Sequence, residues 1–102
     1  MLQQGDVLFC RVKEVKGVEV KADGRGYVFA EGETTGHYHA VKDTEAVKVY
    51  EENGVKYVRV IKACATVEHQ EHGAVVLPRG TYKVGIVKEY DPFADDIRRV
   101  RD

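Results

Sequence analysis

Apolar and polar residues alternate along most of this chain with a period of two, the spacing of strands rather than the 3.6 of helices. In DVLFCRVKEV, Leu8, Cys10 and Val12 fall on one face. In GTYKVGIVKEY, Tyr82, Val84, Ile86 and Tyr90 do the same, with Lys83, Val87 and Glu89 opposite. β-Branched and aromatic residues fill these runs, as a pleated, half-buried surface favours. The clearest unit is AVKVYEENGVKYVRVIKA, two alternating runs flanking Asn53-Gly54. Asn-Gly accepts the positive φ of a tight primed turn, so residues 46–51 and 55–62 should pair antiparallel. Turn-forming stretches at KGVE, ADGRG, EGETTG and LPRG divide the remainder, predicting strands near 6–13, 17–21, 26–30, 37–41, 64–69 and 73–77 and a long one at 80–89. The expected fold class is all-β: a small barrel or sandwich, with a jelly-roll-like arrangement among the options.

Only the end of the chain departs from this rhythm. In YDPFADDIRRVRD, Asp91 can cap free N–H groups and Pro92 suits the first helical position, where no donor is needed. Asp95 and Asp96 come early and the arginines late, matching the helix dipole. Phe93, Ile97 and Val100 share one side, which predicts a short C-terminal helix docked by its apolar face.

The 102 residues fit a single β domain, 1–102, with one modest core. Apolar residues are 43% and charged residues 32%, a folded rather than a disordered composition. A net charge of −1 provides no field for holding a polyanion, so nucleic acid is not an expected partner. Nothing approaches the roughly 20 apolar residues of a membrane span, and MLQQGDVLFC does not read as a signal peptide, so no membrane association and a cytoplasmic location are expected. Cys10 and Cys64 sit in apolar runs and are read as buried thiols rather than a disulfide. The chain contains no serine, which excludes a Ser-His-Asp mechanism.

The candidate chemistry lies in the histidines. All four fall in two tight pairs, His37 and His39 in TGHYHAV and His69 and His72 in VEHQEHGAV. On a strand, residues two apart share a face with Cα atoms roughly 6.5–7 Å apart, close enough for two imidazoles to reach one metal ion. A spacing of three suits a turn. Should the second pair fold over the first, His37, His39, His69 and His72 would converge, with Glu33, Glu45, Glu68 and Glu71 near in sequence to ligate or to orient a ring. Histidine and carboxylate donors suit zinc, iron, nickel or manganese alike. Two other readings stay open. The histidines can stiffen a turn by hydrogen bonding. They can also act as a metal-free acid–base pair, for which Lys42 and Arg79 are the candidate phosphate-binding groups. In EGETTG, Glu33, Thr34 and Thr35 are candidate ligand-binding residues, as is Glu71 further on, while Gly32 and Gly36 supply turn freedom.

Two resemblances bear on this. Gly32, His37, His39 and Glu45 resemble the first motif of the cupins, small metal-binding β-barrels, although the gap before Glu45 is longer. Pro78 and Gly80 resemble the second motif, but no histidine follows them. The resemblance implies His37, His39 and Glu45 as metal ligands and leaves a third histidine unassigned. Over most of its length the chain also resembles a family of small bacterial and phage-encoded proteins of no assigned activity. It shares with them Gly5–Leu8, Ala30–His39, Glu71-His72, Leu77–Tyr82 and Glu89–Phe93.

Two functions of different class follow as expectations. One is a histidine-lined site that binds a divalent metal. The other is a non-enzymatic accessory module, binding a small molecule or protein partner or forming a homodimer through strand edges, with structural histidines.

Overall fold

The computed structural model describes residues 1–31 and 36–87. It is all-β, with eight strands among the described residues: β1 Leu2–Gln4, β2 Val7–Arg11, β3 Val18–Val20, β4 Tyr27–Glu31, β5 Tyr38–Val41, β6 Val47–Glu52, β7 Val55–Val67 and β8 Val75–Ile86. Six of them form an antiparallel sheet in the order β1-β2-β8-β7-β6-β3, and β4 and β5 form a separate hairpin. The sheet ends at β1 and at β3, which do not pair with each other, so the expectation of a barrel is corrected to an open sheet. Both of these edge strands have three residues, too short to curl round and close the ladder. Among the described residues no helix is long and apolar enough to cross a membrane. The expected C-terminal helix lies outside the described residues.

Local sequence explains most of this framework. At the β6–β7 hairpin Asn53 has φ 52° and Gly54 φ 78°, the pair of positive angles that a primed turn needs. From there Val47 pairs with Val60 and Val49 with Val58, all four buried. β1 and β2 are joined by Gly5-Asp6, with Gly5 at φ 57°. β2 buries Val7 and Phe9, whereas Leu8 and Cys10 of the opposite face are only half-buried. Both cysteines are free, and Cys64 is exposed, which corrects the expectation of two buried thiols.

The two long strands differ from the sequence expectation in an informative way. The expected strands 55–62 and 64–69 merge into β7, Val55–Val67, and the expected strands 73–77 and 80–89 merge into β8, Val75–Ile86. The break between them is a bulge: Val60 faces Gly80 and Cys64 faces Pro78, so three residues of β7 oppose one of β8. Arg79 holds it, donating from Nε and Nη2 to the Ile61 carbonyl at 3.1 and 2.7 Å. Val58 and Val60 face the core before the bulge and Ala65 and Val67 after it; Tyr82 and Val84 change parity with Leu77 in the same way. A parity change in mid-strand looks like a turn in the sequence.

The β4–β5 hairpin lies on the sheet. Phe29 of β4 meets Phe9 of β2 edge to face, ring centroids 5.4 Å apart, and Phe29 and Val41 join the sheet's valines in one core cluster. An isolated bridge ties the hairpin to the end of β7. Ala40 N–H donates to the Glu68 carbonyl at 3.0 Å, and Glu68 N–H to the Ala40 carbonyl at 2.8 Å. This bridge sets His39 alongside His69.

Candidate functional site

The four histidine rings form one cluster at the end of β7. His69 is in contact with each of the other three, with ring centroids 5.6 Å from His37, 4.3 Å from His39 and 4.7 Å from His72. His39 and His72 lie 6.1 Å apart and nearly parallel. His39 and His69 stand thirty positions apart in the chain, and three local features bring the pairs together. The Ala40–Glu68 bridge aligns the two segments. Tyr38 N–H donates to Gln70 Oε1 at 2.8 Å one step further on. The third is Gln4, whose side-chain amide donates to the carbonyls of Val67 at 2.9 Å and Gly73 at 3.0 Å. That side chain therefore clips together the two ends of the loop that carries His69 and His72.

Gln4 also sets the chemistry of His39. Both residues are 2% exposed, and Gln4 Oε1 lies 2.9 Å from His39 Nδ1. Since the amide nitrogen of Gln4 already faces two carbonyls, its oxygen faces the ring, and His39 Nδ1 must be the donor. In the neutral ring the lone pair then sits on Nε2, 3.9 Å from an Asp6 carboxylate oxygen. A carbonyl behind one ring nitrogen is the usual support for a metal-binding histidine, because it fixes the tautomer and the ring orientation. Burial pushes His39 below the ordinary imidazole pKa; neighbouring His69 and His72 add to the shift, and Asp6 opposes it. Burial likewise lowers His69, helped by His72 and His37 against Glu71 and Asp6. His39 and His69 thus favour the neutral ring, the form that keeps an electron pair on one nitrogen.

The remaining candidates divide. Glu71 stands at the rim, a carboxylate oxygen 3.8 Å from His37 Nδ1. Glu45 lies in the turn after β5, where its charge acts on Lys62, and it makes none of the cluster's contacts. Glu33, Thr34 and Thr35 lie outside the described residues. Lys42 faces Glu68 at 3.8 Å, and Arg79 is engaged at the bulge, so both candidate phosphate groups already have partners. Tyr38 turns away from the histidines, its ring under the Arg25 guanidinium at 4.8 Å. Gln4 and Asp6 were not singled out in the sequence; GDVL marks a turn, and nothing near it signals a contact with residues 63 and more positions away.

Among the described residues, no three His, Cys, Asp or Glu side chains stand ready to hold one metal ion. The rings of His39, His69 and His72 lie with planes 15–45° apart.

Residues 3–86 match the model of a family described as Domain of unknown function (DUF8820). No curated protein and no solved structure matches the chain.

Proposed function

The chain belongs to the DUF8820 family, which carries no assigned activity, and from the site itself we propose that the histidine cluster takes up a divalent transition metal such as zinc, iron, nickel or manganese. The observation behind this reading is His39: buried, neutral, with Nδ1–H fixed by Gln4 and Nε2 left as a lone pair among three further imidazoles. His37 and His72 are the other proposed nitrogen ligands, and Asp6 is the oxygen donor within reach. Donors of this kind suit borderline metals with ligand distances near 2.1 Å. Side-chain rotation of His37 and His72, both nearer the surface than His39, would bring their lone pairs round.

Elemental analysis of protein purified without chelator tests this. About one equivalent of metal per chain is expected, lost in a His37→Ala/His39→Ala double variant that still folds. If the wild type carries none, and zinc, nickel, iron(II) and manganese(II) each leave its melting temperature unmoved, the reading fails.

A further inference from the structure

We propose, independently of the metal reading, that the outer edge of β3 pairs antiparallel with the same edge of a second copy of this chain, about a two-fold axis at Val20.

β3 closes one side of the sheet. It bonds to β6 along Val18–Val20, and among the described residues no strand lies on its other side. Backbone groups of alternate strand residues point to opposite sides, so an edge strand keeps a row of unpaired donors and acceptors. The surface here is open. Val18 is 74% exposed, more than any other large apolar side chain among the described residues except Met1, and Glu19 beside it is exposed too. No residue between Gly17 and Gly26 has a positive φ, so no left-handed residue stops this edge from running extended past β3 to Ala22.

Charge selects the register. In an extended chain Val18, Val20 and Ala22 share one side, and Glu19 and Lys21 the other. Two copies related at Val20 set each Glu19 opposite the partner's Lys21, so the ion pair forms twice. On the other side Val18 meets the partner's Ala22, and the two Val20 side chains face each other. Opposite charges and apolar pairs both favour cross-strand contact. Other registers lose this match. An axis at Glu19 opposes two glutamates. An axis at Lys21 opposes two lysines and sets Glu19 against Asp23. An axis between residues puts charged side chains against apolar ones. A lysine alone guards an edge from pairing; beside Glu19 it makes the edge complementary to itself.

The opposite edge offers no such code. β1 is Leu2-Gln3-Gln4, without a charge to fix a register, and Gln4 is committed to the histidine cluster. Since β1 and β3 are the two ends of the sheet, a joint at β3 leaves that cluster uncovered. Residues 18–22 of each copy bury less than the roughly 1,200 Å² at which standard interfaces begin, so the association is weak and reversible.

Sedimentation velocity from about 10 μM to about 1 mM protein tests this, at low salt so that exposed charges are not screened. Wild type should pass from monomer to dimer and no further. Glu19→Lys and Lys21→Glu each oppose like charges at both pairs, and each should raise the dissociation constant about tenfold or more. An equimolar mixture of the two variants restores opposite charges at both pairs and should dimerise to the wild-type extent. Amide NMR of wild type during dilution needs no variant, and its shift changes should centre on residues 17–23. Wild type still monomeric at about 1 mM, single variants that dimerise as wild type does, or a mixture that stays monomeric would each overturn the proposal. Shift changes centred on Leu2–Gln4 would also overturn it, as would growth beyond a dimer, which requires β1 of one copy on β3 of the next.

Discussion

Gln4 Oε1 accepts the Nδ1–H of His39 at 2.9 Å, in a position where neither side chain is more than 2% exposed. The same glutamine donates to Val67 and Gly73, so one side chain couples the first strand, the β4–β5 hairpin and the loop after β7. Replacing Gln4 by alanine leaves a buried ring N–H and two carbonyls without their partner. A loss of about 2 kcal/mol in urea-induced unfolding is expected. Metal affinity should fall roughly 10-fold or more through the lost orientation of His39, measured by competition with a chromogenic chelator.

Gly5 sits beside the same cluster at φ 57°, and a Cβ there would stand 2.6 Å from His72 Nε2. The atom in the way is the far end of a side chain, so the fold can accommodate an alanine by moving His72. Gly5→Ala should cost about 1 kcal/mol in stability, the usual penalty for a left-handed alanine. The displaced His72 should weaken metal binding. A variant with unaltered affinity would show that His72 is not a ligand.

The lowered pKa values of His39 and His69 fix a sign for the pH dependence of the metal-free protein. Their folded-state values lie below about 6.5, the unfolded value. Above it both states are neutral and the contribution to stability is fully present. As pH falls through 6.5 the unfolded chain takes up protons first, so stability declines toward the lower folded-state pKa. Urea midpoints measured in chelator between about pH 7.5 and 5 should fall, and His39→Gln should flatten the slope. Asp23 and Asp43, whose carboxyls are held below their ordinary range by Arg25 and Lys62, act only at more acid pH.

The Phe9–Phe29 contact carries the hairpin that bears His39. Phe29→Ala should cost about 3–4 kcal/mol. A double-mutant cycle with Phe9→Ala should give a coupling of about 1 kcal/mol, read from chemical denaturation. Folded Phe29→Ala protein should also bind metal less tightly, because the Ala40–Glu68 bridge depends on where the hairpin sits.

Residues 47–60 show how far local pattern reaches. The alternation of Val47, Val49, Val58 and Val60 around Asn53-Gly54 specifies a hairpin, its turn and its buried face with no help from the rest of the chain. Elsewhere the period misleads. The parity change at Val60–Cys64 divided each long strand in two, because a bulge opposite Arg79 and a true turn leave the same mark in a linear pattern. In β2 both faces are apolar, so alternation alone could not show that Val7 and Phe9 point inward and Leu8 and Cys10 do not.

By itself the chain determined that it is built of antiparallel strands, where its Asn-Gly hairpin lies, and that its only imidazoles come as two pairs. These properties rest on backbone sterics and side-chain spacing, which act over a few residues. Tertiary structure alone decided that the pairs meet, that the sheet stays open, and that Gln4 fixes the tautomer of His39. Those outcomes depend on hydrogen bonds between residues as far as 69 positions apart, and no local pattern encodes a contact of that range.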